Sequence, residues 1–263
     1  MGRYVKLYII FLKFSLVRMM ENRFDFLFRA VPTTLTLIIA LSVVSFIFSN
    51  VKEVAGWNRD QLFLLLGTYN IVWGLFFGLF IKNLSKINRY VNKGDLDLFL
   101  TKPVNSQFLV STSSPIDLGE AVTLLSGIVI LNYALNALHI QPNFITGFLY
   151  LLLVIGAVIL SYSIWFMIMT LSFWFGRLPE LHETFLTLFA MNKYPVDIFN
   201  GSIKFIFIYF FPLAVMVTFP TRILLNNLEP ISVVWSLTAS LIFLIISNFF
   251  WNFALKHYSS ASS

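Results

Sequence analysis

The chain has no cysteine, so neither a disulfide framework nor a thiolate metal site can be built from it. It also lacks the glycine-rich pattern G-x-x-x-x-G-K-[ST] that cradles nucleotide phosphates, and without that cradle it is not expected to hydrolyse ATP or carry any cofactor of its own. Its three histidines, His139, His182 and His257, stand far apart, and His182-Glu183 has no second histidine to complete a zinc-protease spacing. Charge is scarce as well: 11% of residues are charged, against about 25% in an average soluble domain. Between residues 121 and 176 there is no Asp, Glu, Lys or Arg, and the one polar break is His139-Ile-Gln-Pro-Asn143. One bilayer crossing takes roughly 20 apolar residues, so this stretch holds two crossings joined by a tight loop. With 58% hydrophobic residues, the chain needs lipid as its solvent.

Six charge-poor runs read as membrane helices: 31–48, 62–81, 121–138, 144–173, 205–219 and 231–253. The fourth is longer than a bilayer requires, so it tilts or extends beyond the membrane. The fifth is short and irregular. Tyr194 and Pro195 precede it, Pro212 lies within it and Pro220 closes it, and each proline removes a backbone donor that lipid cannot replace.

The basic residues fix an expected orientation. With a cytoplasmic N-terminus, fifteen of the 18 lysines and arginines, Lys193 and Lys204 among them, fall in inside segments, and Lys52, Arg59 and Arg222 fall outside. A multi-pass protein of the cell membrane with both termini cytoplasmic is therefore expected. The net charge of +6 is read as topology, with no nucleic-acid partner. Asn200-Gly-Ser202 fits a glycosylation pattern but faces the cytoplasm in this arrangement, and is read as accidental.

At about 100° per residue, Arg3, Lys6, Lys13 and Arg18 fall within roughly 140° of one helical face. The first 25 residues thus read as a helix lying in the cytoplasmic interface, its cations snorkelling to headgroups; a frayed extension of the first span is the alternative. Ionisable residues deep in the spans are essentially missing, with Glu120 only at the mouth of the third. That lowers the standing of a proton- or sodium-driven carrier. Polar residues within spans, Thr68, Asn70, Asn132, Ser161 and Ser163, suit either a path or a helix interface.

The longest polar segment is the cytoplasmic loop over 82–117. Its first part is basic, as a positive-inside loop should be. Its second part, Gly94-Asp-Leu-Asp-Leu-Phe-Leu-Thr-Lys-Pro103, places acidic residues ahead of an apolar cluster and a proline after it, as in a short capped helix. Apolar side chains exposed in such a loop need lipid or a protein groove to cover them.

This segment resembles the signature of ABC-2-type permeases, the membrane subunits of ATP-binding-cassette exporters, in the branch with Gly-x-Leu-Asp-x-x-Leu-x-x-Pro after the second span. Ile116-Asp-Leu-Gly-Glu120, Phe173-Trp-Phe175, Tyr194-Pro195, Pro212, Pro220 and Tyr258-Ser-Ser-Ala261 follow in the expected order. Lys102 stands where arginine is common, which keeps the charge and loses the bidentate fork. The resemblance implies an all-α polytopic membrane protein, one permease domain over 1–263. Two permease subunits, identical or paired, would enclose a path and sit on a dimer of cytoplasmic ATPases that binds the ATP. In the coupling helix so implied, Asp95 and Asp97 cap the start after Gly94, Leu96, Phe99 and Leu100 fill an ATPase groove, and Lys102 and Pro103 form the exit. An ATPase-independent secondary carrier and an accessory membrane scaffold are the alternatives.

Overall fold

The computed structural model describes residues 2–21, 23–113, 117–176 and 179–258. It is helical throughout, with no strand among the described residues. Four helices are long and apolar enough to cross a membrane: α2 (Arg23–Asn50), α3 (Arg59–Phe76), α9 (Phe144–Thr170) and α15 (Pro230–Leu255). Between α3 and α9 lie the short helices α4 (Lys82–Leu84), α5 (Ile87–Lys93), α6 (Asp97–Leu100) and α7 (Ser106–Thr112), and then α8 (Ala121–Ala137). Beyond α9 come α10 (Ser172–Phe175), α11 (Pro179–Ala190), α12 (Gly201–Phe205), α13 (Leu213–Met216) and α14 (Thr218–Leu224). The N-terminal segment is one helix, α1 (Gly2–Glu21), with Lys6 and Lys13 exposed; the side chains of Arg3 and Arg18 lie outside the described residues.

The centre of the molecule is α3 and α9, whose Leu64, Leu65, Val72, Phe76, Leu160, Trp165 and Phe166 are fully buried. Glycine sets the distance between α3 and α8. A Cβ on Gly127 would come within 2.8 Å of the Gly67 carbonyl and the Ile71 nitrogen, so the two backbones meet directly, as small residues allow between membrane helices. On the other side of the core, the Ser240 hydroxyl of α15 donates to the Gly156 carbonyl of α9 at 2.9 Å. At the end of α3 a wide π-type turn, Phe77–Ile81, leaves the Gly78 carbonyl accepting from the Asp117 amide at 2.9 Å. By contrast α2 is thinly supported, with no buried residue over its apolar stretch.

Contacts between distant segments define two faces. Tyr4 of α1 meets Phe108 of α7 at a ring distance of 5.0 Å, Lys82 pairs with Asp117 at 3.7 Å, Phe173 meets Tyr258 at 5.8 Å, and Gly176 lies beside Asn92. Both ends of the described chain therefore share one face with the loop over 82–117. Trp57, in the α2–α3 connection, marks the opposite face, and it donates its indole N–H to Asp197 at 3.0 Å.

That hydrogen bond corrects the fifth span. Asp197 also accepts from Lys204 of α12 at 2.9 Å and from Arg222 of α14 at 2.6 Å. Residues 197, 204 and 222 are thus on the Trp57 face, and the run 205–219 leaves that face and returns to it. The crossing falls earlier, between Gly176 and Asp197, and is carried by α11 and the tight turn Met191–Lys193. The reversal is built at Pro212 (ψ 61°) and Val217 (φ −137°, ψ −47°), which break the helix. Lys204 and the Asn200-Gly-Ser202 pattern, expected on the cytoplasmic side, lie on the face opposite the termini. Lys193, expected in a cytoplasmic loop, lies at the end of the crossing helix.

Candidate functional site

Two places carry chemistry that packing alone does not explain: the turn around α6 on the face of the termini, and a cavity inside the membrane region. Gly94 ends α5 in a left-handed conformation, φ 76°, which glycine adopts without a Cβ penalty. The Leu96 amide then closes back on the Tyr90 carbonyl at 3.2 Å. This turns Leu96 inward, where it is fully buried. One helical turn follows, with Leu96 at its N-cap position making no side-chain hydrogen bond and Asp97 in its first turn.

The apolar residues of this turn divide differently from the expectation. Leu96 anchors it from within, and Phe99 is half-buried with its ring 4.7 Å from that of Tyr90. Lys102 holds its ammonium over the Phe99 ring at 5.6 Å. The side chains offered outward are Leu98, 66% exposed, and Leu100, 38% exposed, with Pro103 exposed beyond them.

A short wedge joins this turn to the membrane helices. The Asn105 side chain caps α7 by accepting from the Phe108 amide at 3.0 Å. The buried Gln107 amide then bridges two helices: its nitrogen donates to Tyr162 of α9 at 3.2 Å, and its oxygen accepts from Asn248 of α15 at 2.8 Å. Ser111 pairs with Tyr162 at 2.8 Å, and Ser106 accepts from Trp251 at 3.0 Å. Buried polar groups must be paired, so α7 is held to α9 and α15 in one register. Gln107 carried no signal in the sequence, because a single glutamine after a proline-ended loop reads as an ordinary loop residue.

The family described as ABC-2 family transporter protein covers residues 33–262, nearly all of the chain. The chain belongs to the ABC-2 transporter family. It is a multi-pass membrane component of a transport system. Comparison with curated proteins finds no match.

The second place is a cavity of about 300 Å³ between α2, α3, α8 and the end of α11. Lys193 borders it, its ammonium 5.5 Å from the centre of the Tyr69 ring, and Glu120 borders it at the start of α8. Tyr69 is ten residues into α3, about 15 Å along the helix from its start on the Trp57 face. Lys193 therefore lies beside the middle of α3, and a lysine at the centre of a membrane helix costs roughly 3 kcal/mol on insertion scales. Its backbone is fixed by the neighbouring Asn192, buried and donating to the Phe189 carbonyl at 3.1 Å. Sequence reasoning missed this lysine because Glu180, His182 and Glu183 made the segment look like a loop. The available signal was the stripe Leu181, Phe185 and Phe189 at helical spacing, with Pro179 at a helix start.

Of the polar residues expected near a path, only Asn70 borders this cavity. Thr68 donates to Leu64 and lies 3.3 Å from the Tyr150 hydroxyl. Ser161, Ser163 and Asn132 bond to carbonyls of their own helices. Tyr194 and Pro195 end the crossing helix in extended conformation, and Pro212 and Pro220 belong to the returning hairpin.

Proposed function

We propose that this chain is the permease subunit of an ATP-driven exporter, paired with a second permease subunit and moved by separate cytoplasmic ATPases that bind the nucleotide. The face that holds the termini and the loop over 82–117 is then cytoplasmic, in agreement with its excess of lysine and arginine. ABC-2 permeases work with such ATPase subunits, and both the partner and the direction of transport are part of this proposal.

The observation that carries it is α6. A one-turn helix with Leu98 and Leu100 outward on a buried Leu96 is an apolar knob in a polar loop, and a knob of that kind fits a groove on a partner. Its load passes along a short covalent path, Pro103 to Asn105, into α7, whose Gln107 and Ser111 grip α9 and α15. A displacement of α6 is thus delivered to two membrane helices at once.

Truncating an apolar anchor in a protein groove costs about 2 kcal/mol or more, roughly thirtyfold in association. Leu98→Ala with Leu100→Ala is expected to reduce co-purification of the ATPase, or to uncouple hydrolysis from transport, while insertion stays normal. Parent-like ATPase binding and transport in the double variant would place the coupling contact elsewhere.

A secondary carrier is the second reading, favoured by Lys193 beside the middle of α3 on the cavity, an ionisable residue of the kind whose absence had argued against it. Transport by the purified chain in liposomes under an ion gradient, with no ATPase present, would decide for the carrier.

A further inference from the structure

We propose that the cavity between α2, α3, α8 and the end of α11 binds an amphipathic anion, its phosphate or carboxylate group held by Lys193 and its apolar body by Leu37, Leu66 and Trp73. This rests on the permease reading, for which it names the class of cargo. The two fail independently, because binding to the cavity is measured without any ATPase.

The ligand class follows from charge and lining. Glu120 borders the same cavity and accepts from the Thr123 hydroxyl at 3.0 Å, so its charge repels an anion and the anionic group belongs at the Lys193 end of the lining. Among the described residues no carboxylate lies within salt-bridge reach of Lys193, and its one recorded partner is the face of Tyr69 at 5.5 Å. A ring face attracts a cation without neutralising it. In a medium of low dielectric a lysine so placed favours an anion, and Asn70 of α3, Thr36 of α2 and Ser126 of α8 add polar groups around the cavity. Thr33 and Thr123 line it as well, while Pro32, Leu37, Ala40, Leu66, Trp73 and Ala190 form its apolar part, and with a volume of about 300 Å³ the cavity takes a headgroup with a short apolar body. The α2 wall, without a buried residue over its apolar stretch, can move outward for a longer tail.

The test uses the full chain in nanodiscs and a decyl phosphate carrying a photoreactive diazirine. Labelling is expected on peptides containing Trp73 or Ser126, and unlabelled decyl phosphate is expected to displace the probe while inorganic phosphate does not. A charged hydrogen bond lost in a desolvated site lowers affinity about tenfold or more, so Lys193→Gln is expected to lower labelling by that factor and Lys193→Arg to restore it. Thr36→Trp, which fills the cavity from the loosely packed α2 and leaves the charge intact, is expected to lower labelling as much. Equal labelling by the neutral decanol analogue, or unchanged labelling of Lys193→Gln, overturns the proposal. Displacement by inorganic phosphate as effective as by decyl phosphate overturns the amphipathic assignment.

Discussion

Asp197 ties the α2–α3 connection to α12 and α14 through Trp57, Lys204 and Arg222, and its ionisation state sets how firmly they hold. Burial alone would raise its pKa, but hydrogen bonds from Lys204 and Trp57 and the charges of Arg222 and Lys204 outweigh that and keep the carboxyl below the usual carboxylate range. A group whose folded pKa is depressed contributes stability above its unfolded value and loses it as pH falls through the folded one. The contribution is therefore full at neutral pH and declines as pH falls below the ordinary aspartate value of 3.8. Asp197→Asn leaves Arg222 and Lys204 without their carboxylate. Because their side chains are 27% and 39% exposed, solvent screens part of the loss, and about 1–2 kcal/mol is expected. Thermal unfolding in detergent checks this: the gap between parent and variant is expected to be constant from about pH 5 to 8 and to close as pH falls below about 4. A gap that persists in acid means that shape, not charge, joins these segments. No hint of this cluster stands in the sequence, since Trp57 and Arg222, 140 and 25 residues away from Asp197, leave no local pattern.

Among the helices, the long spans were legible because composition alone dictates them. A charge-free run of twenty residues in α9 or α15 has no soluble alternative, and the observed helices cover those runs. The fifth crossing was not legible, because two cues pointed the wrong way. The apolar run 205–219 resembles a span, yet Pro212 and Val217 fold it into a hairpin, and the true crossing helix α11 opens with charged residues. The turn at α6 was read correctly as a helix, but which leucine faces out depends on the left-handed Gly94, which rotates Leu96 inward and Leu98 outward. The contact between α3 and α8 gives a sharp test of packing. At Gly127 any Cβ meets backbone at 2.8 Å, and backbone cannot rotate aside as a side chain can. Gly127→Val is expected to cost about 2 kcal/mol or more through overpacking, seen as a lower midpoint of thermal unfolding. Gly147→Val, where nothing lies within 4 Å, is the matched control and is expected to leave the midpoint within about 0.5 kcal/mol of the parent.

For the molecule as a whole, the corrected path of the fifth span changes what each face presents. Basic residues are still concentrated on the face that carries α1 and the loop over 82–117, so the positive-inside argument keeps its sense although Lys204 has changed sides. What moves is the hairpin over 201–224, which now lies with Trp57 and the α8–α9 turn on the face expected outside the cell. The absence of cysteine makes this directly measurable, since every introduced thiol is the only one in the chain. Single cysteines at Asn143 and Ser202, both exposed, are expected to react with a membrane-impermeant thiol reagent in intact cells. One at Ser85, exposed on the opposite face, is expected to react only after the membrane is opened. Ser202 is the deciding position, because a straight crossing over 205–219 would put it inside and the hairpin puts it outside. If Ser202→Cys is protected in intact cells while Asn143→Cys reacts, the hairpin is wrong, and Lys193 would return to a cytoplasmic loop where it could not serve the intramembrane cavity.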